Sequence, residues 1–197
     1  MNNIQQRKEY SERIGNKAED LFVKLCQKKG CSVYQASKRQ DIFEHWDRRV
    51  ISPRGKNTLV DVKAMKDGRY DFTYLELIGN TGKNGWLLGK ADLIAFQQEY
   101  GFLLFSRTNL LNWIIKKASI QSVKQVRDLY SKFFDKEGNM LDSFRHAEGY
   151  DLFARHKDDA LYKLYSRPPW GDKARHDVTI KARVQDMLNE IKHDILK

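Results

Sequence analysis

The chain has few of the residues that staple or punctuate a fold. It holds two cysteines and three prolines in 197 residues. Cys26 and Cys31 form no Cys-x-x-Cys pair, and the five histidines are scattered. A structural zinc site and a disulfide framework are therefore not expected. Two reduced thiols in an intracellular, cytoplasmic protein is the reading that remains. No apolar run reaches the roughly 18 residues of a membrane-spanning helix. Residues 1–6, Met1-Asn2-Asn3-Ile4-Gln5-Gln6, carry no apolar signal core, so neither secretion nor a membrane partner is expected. Acidic residues are outnumbered, 26 Asp and Glu against 36 Lys and Arg, which leaves a net charge of +10. That excess attracts polyanions, nucleic acid first. A hydrophobic fraction of 41% over this length suits a single domain spanning 1–197.

Apolar spacing predicts the elements. Residues 1–12 read as frayed or loosely helical. Ser11 to Lys29 reads as a helix with Ile14, Ala18, Leu21, Phe22 and Leu25 on one face, stopped by Gly30. Residues 31–36 form a short strand and 37–45 a polar, basic loop. Residues 46–51 and 58–65 form a hairpin around Pro53-Arg54-Gly55. Residues 66–69 are a turn, and the aromatic-rich 70–78 is a strand. Trp86 to Gln98 has helical spacing, and Gly101 to Phe105 is an apolar strand. Strand, helix, strand in that order predicts a βαβ crossover. Helices follow from a Thr108 or Asn109 cap to Lys117 and over 123–134. The expected end of the chain is a strand over 161–165, a Pro168-Pro169 loop, a strand over 177–184 and a helix to Leu196. The loop Gly79-Asn80-Thr81-Gly82-Lys83-Asn84-Gly85 has neither the spacing nor the Ser or Thr of a nucleotide-binding P-loop.

Chemistry concentrates in Asn57 to Lys66, where Asp61 and Lys63 stand two positions apart. In a strand, residues i and i+2 share a face, so a carboxylate and an ammonium lie side by side. On an open surface the pair would contribute about 0–1 kcal/mol. The hairpin brings Asp47 alongside Asp61, and the preceding helix carries Glu19. A helix acid, a strand acid and an Asp-x-Lys strand thus follow one another in order.

This order resembles the PD-(D/E)XK nuclease superfamily, with Glu19 in the first helix, Asp47 as the first acid and Asp61-Val62-Lys63 as the Asp-x-Lys. The match covers roughly residues 11–118, and no proline precedes Asp47, which leaves Asp41 and Glu44 as alternatives. His45-Trp46-Asp47 and the 80–86 loop are also similar to segments of phage-encoded relatives. The resemblance implies an α/β fold with a restriction-endonuclease-like core, a central mixed sheet flanked by helices, and helical and strand additions over 119–197. It implies a Mg²⁺ site, with Mn²⁺ as substitute, held by Asp47, Asp61 and the Val62 carbonyl. Hard cations take oxygen ligands, and the metal neutralises a phosphoryl oxygen and acidifies water. Lys63 would orient or deprotonate the water. Glu19 would ligate a second metal, bind a metal water or position Lys63. Glu76 on the next strand is a further candidate.

Lys38, Arg39, Arg48, Arg49 and Lys66 crowd the hairpin, and Lys83 lies in the glycine loop. Such residues suit phosphate contacts. The expected activity is Mg²⁺-dependent endonucleolytic hydrolysis of DNA, of restriction, repair or junction-resolving type. A non-catalytic nucleic-acid-binding protein on the same fold is the alternative, and a ribonuclease is a third reading. A homodimer would suit double-strand cleavage.

Overall fold

The computed structural model describes residues 3–65, 70–79, 82–133, 135, 161–167 and 177–197. The elements begin with α1 (Asn3–Lys28), β1 (Ser32–Gln35), α2 (Lys38–Glu44), β2 (Arg48–Ile51), β3 (Asn57–Lys63) and β4 (Phe72–Ile78). After a 3-10 turn at Trp86–Leu88 come β5 (Leu93–Gln98), β6 (Gly101–Ser106), α3 (Arg107–Lys117) and α4 (Val123–Phe133). Then follow β7 (Leu164–Arg167), β8 (Asp177–Arg183), α5 (Val184–Glu190) and β9 (His193–Leu196). The fold is α/β, with a mixed central sheet flanked by helices.

The chain divides into two compact units. The first comprises Met1–Tyr70, Gly89–Leu110 and Leu188–Lys197, the second Asp71–Leu88 and Leu111–Met187. The first unit contains a six-stranded sheet in the order β1-β2-β3-β5-β6-β9. All its neighbours are antiparallel except β3 and β5, which are parallel. The second unit contains the antiparallel sheet β4-β8-β7.

Helix α1 packs against β1, β3 and β6. Its buried residues Ala18, Phe22 and Cys26 recur every fourth position, the spacing that stacks side chains on one helical face. They join Val60, Val62, Ala95, Phe102 and Leu196 in one apolar core. Phe22 meets Phe102 edge to face, 5.4 Å between ring centres. Gly30 ends the helix at φ +76°. The Cys31 N–H donates to the Cys26 carbonyl and the Gly30 N–H to that of Gln27, the hydrogen-bond pair of a Schellman stop.

Several expectations are corrected. The helix begins at Asn3, so residues 3–12 belong to α1. Residues 38–44 are helical rather than looped, because Ser37 and Gln40 form a reciprocal capping box. The helix expected over 86–98 is only the 3-10 turn followed by β5. Leu93 to Phe96 has apolar residues at every position, and a short run of that kind fits a buried strand as well as a helix. The βαβ crossover is therefore absent: β5 pairs directly with β3, and the intervening segment supplies β4 to the other sheet. The helix expected to reach Leu196 stops at Glu190, and β9 pairs with β6. Ser106, not Thr108 or Asn109, caps α3, its Oγ accepting from the Asn109 N–H. The turn expected at 66–69 and the Pro168-Pro169 loop lie outside the described residues.

Gly101 lets β9 close the sheet. Its φ is +140°, and an added Cβ would meet the Leu196 carbonyl oxygen far inside van der Waals contact. Gly101→Ala is expected to destabilise the protein by about 1–3 kcal/mol. The check is thermal unfolding, where each kcal/mol lowers Tm by about 2–4 °C.

Candidate active site

Residues 60–62 of β3 are buried in succession, so both faces of the strand are covered here. Val60 and Val62 face the α1 core. Alternation then places Asp61 and Lys63 on the opposite face. Asp61 is only 2% exposed. Its Oδ1 accepts from Lys63 Nζ at 2.8 Å, while its buried Oδ2 has no hydrogen-bond donor. Lys63 is partly exposed, so the site meets solvent on its side.

Asp47 reaches the edge of β3 just before β2 begins. Its N–H donates to the Val60 carbonyl at 2.9 Å, and its Oδ2 accepts from the Val62 N–H at 2.6 Å. The residue therefore brackets Asp61, and the two carboxylates are close enough to share a hydrogen bond. Burial, then the Asp61 charge, pushes the Asp47 carboxyl up to about 7. Burial also raises Asp61, against the opposing charge of Lys63. Both shifts follow from desolvation and like-charge proximity.

Glu19 lies one position round α1 from the buried Ala18. Its Oε2 pairs with Arg48 Nη2 at 2.8 Å, and both side chains are mostly buried. Burial first, then the Asp47 charge, raises Glu19, while Arg48 lowers it. Arg48 Nη1 also donates to the Asp47 carbonyl at 3.1 Å. Asp47 thus stands electrostatically between Glu19 and Asp61.

The two alternative acids both lie on α2. Glu44 accepts from Trp46 Nε1 at 3.0 Å and from Lys90 Nζ at 3.1 Å. The Trp46 bond, then that of Lys90, holds its carboxyl below the usual range. Asp41 is exposed on α2, and its charge helps to raise Glu19 and Asp61. His45, at φ 54°, turns the chain from α2 toward β2 and so delivers Trp46 and Asp47. Glu76 is half-buried on β4 of the second unit.

The basic residues divide. Lys38 and Arg39 are exposed on α2, which buries no residue and also presents Ile42 and Phe43 to solvent. Arg49 is exposed and stacks its guanidinium over Tyr34, 4.8 Å from the ring centre. Lys83 is exposed in the second unit. Lys66 lies outside the described residues. Arg48 is 8% exposed and belongs to the acidic cluster, so the expectation that it contacts phosphate from the surface is corrected. Sequence reading missed that role because Arg48 sits among Arg49, Lys38 and Arg39. Its cue is alternation: in β2 its position matches that of Val60, its partner in register. Cys26, pushed up to about 12 by burial, is a core thiol.

Among the described residues, no group of three or more His, Cys, Asp or Glu side chains is arranged to hold a metal ion. No family model, curated protein or solved structure matches the chain.

The Asp47 carboxyl gives a pH dependence. Unfolded, an aspartate ionises near about pH 4; folded, Asp47 keeps its proton to about 7. Between these values the native state binds more protons, so its stability falls as pH rises. Metal-free protein is expected to show a Tm that declines from pH 5 to 8. Asp47→Asn should flatten that slope, as read by calorimetry across the range.

Proposed function

We propose that this chain is a divalent-metal-dependent deoxyribonuclease with a PD-(D/E)XK-type site on a restriction-endonuclease-like core. One observation carries the reading: a fully buried Asp61 that keeps one oxygen without a donor, beside Asp47 and salt-bridged to Lys63. Burying a carboxylate is costly unless each oxygen finds a partner. A structural strand would place an apolar or fully bonded residue there. A hard cation such as Mg²⁺ fits the missing partner, because two adjacent carboxylates that repel each other are an oxygen donor set for such an ion. Asp47 and Asp61 would hold it, with the Val62 carbonyl as a further ligand.

When bound, the ion supplies Lewis acidity toward a phosphoryl oxygen and toward water. Asp47 is fixed for its part by the Val62 N–H. Lys63, aimed by its ion pair with Asp61, orients the attacking water and stabilises charge on the phosphoryl oxygens. Water oxygen bonds to phosphorus as the bond to the leaving sugar oxygen breaks. Lys38 and Arg39 on α2, together with Arg49, supply sequence-independent attraction to the phosphate backbone. Ile42 and Phe43 offer apolar contact to bases beside those charges.

Purified protein with Mg²⁺ or Mn²⁺ is expected to cut duplex, single-stranded or branched DNA, with RNA assayed in parallel. Lys63→Ala should lower the rate by about 10²–10⁴-fold, and Asp61→Asn should abolish it, while DNA binding largely survives. A protein that binds DNA but cuts none of these substrates would instead be the non-catalytic nucleic-acid-binding module. Replacing Lys38 and Arg39 together by Ala should weaken binding and flatten its salt dependence by about one log–log unit per lost contact.

A further inference from the structure

Glu19 has three roles open to it at a site of this kind: ligand of a second metal, acceptor for a metal water, or support for other residues. The geometry separates them. Its carboxylate is already engaged by Arg48 at 2.8 Å, in a pair whose side chains are 22% and 10% exposed. Removing one member of such a mostly buried pair is costly, because the other charge is left without a counter-ion. A metal that recruited Glu19 would have to meet that cost.

The sheet adds a second argument. Glu19 comes from α1, which packs on the face of Val60 and Val62. Asp61 and Lys63 project from the other face. Asp47, at the strand edge, is the carboxylate between the two sides.

We propose that Glu19 is not a metal ligand but the counter-ion of Arg48, forming a positioning pair that fixes Asp47, and that the site takes a single divalent cation at Asp47 and Asp61. Arg48 reaches Asp47 through its backbone carbonyl, 3.1 Å from Nη1. The same carbonyl accepts from the Ala36 N–H at 2.8 Å. The pair therefore holds the peptide from which the Asp47 side chain projects. This inference rests on the metal-site reading above and decides what kind of site it is.

The test is Mn²⁺ binding to the full chain by isothermal titration, with the free ion followed by electron paramagnetic resonance. Wild-type protein is expected to bind one ion, and Asp61→Asn to lose it. Glu19→Gln, which keeps the side-chain shape, should still bind one ion, with affinity weakened less than about tenfold. The exchanged pair, Glu19→Arg with Arg48→Glu, should bind Mn²⁺ more tightly than either single change, since a counter-ion pair tolerates exchange and a metal ligand does not. Two ions in the wild type, one of them lost in Glu19→Gln, would overturn the inference and leave the nuclease reading standing. No ion whose binding depends on Asp61 would overturn both. If the Arg48 variants do not fold, the stoichiometry of Glu19→Gln alone decides between one outcome and the other.

Discussion

The burial of Asp61 is the constraint on which the rest of the first unit depends. A β-strand alternates, so covering both faces of β3 forces every residue from Val60 to Val62 out of water. The two valines gain from that, each on the order of 1.5–3 kcal/mol relative to exposure. Asp61 loses its hydration and recovers the Lys63 ammonium and a close approach to Asp47. The surroundings then respond to this one carboxylate. Lys63 is pinned by it, Asp47 is pushed toward protonation by it, and Asp47 in turn raises Glu19, which Arg48 steadies.

Placing Asp47 beside Asp61 is a task of local structure. The capping box at Ser37 starts α2, and the left-handed His45 ends it. Glu44 is fastened by Trp46 and Lys90, and the Lys90 N–H donates to its carbonyl. The chain thus leaves α2 in a fixed direction, with Trp46 turned into the interior. Asp47 then bonds to β3 through both its backbone N–H and its carboxylate. Neither bond depends on regular strand pairing, which begins only at Arg48.

The parts legible in sequence were those with a strong local signal. The α1 stripe and its Gly30 stop, the β2–β3 hairpin, and strands β6 and β8 all follow from spacing and turn chemistry. The convergence of Glu19, Asp47 and Asp61 on one hairpin followed from element order. Tertiary context decided the rest. Leu93 to Phe96 is apolar on every side, and periodicity cannot tell a doubly covered strand from a buried helix. Ile195 falls at helical spacing from Ile191, yet Ile195 and Leu196 pair with β6, because Gly101 leaves room for the approach. Ser37 and Gln40 did carry a capping signal, but the basic residues around them read more readily as a loop. Arg48 was hidden in the same way by a run of like residues. The sign of a charge is visible in sequence, whereas its burial depends on which face of β2 meets α1.

The electrostatics of Asp47 and Asp61 bear directly on the proposed metal site. Two adjacent carboxylates held out of water stay together near neutral pH more readily when they retain a proton between them. Asp47, at about 7, is poised to hold that proton. A divalent ion would take the proton's place between the two carboxylates. Binding should therefore release a proton and tighten as pH rises through 7, the range in which the metal-free protein loses stability. Opposite pH trends for ion affinity and metal-free stability have one physical origin here, the desolvation of Asp47 and Asp61. A surface ion pair at Asp61 and Lys63 would produce neither trend, because exposed charges keep their water and their ordinary protonation.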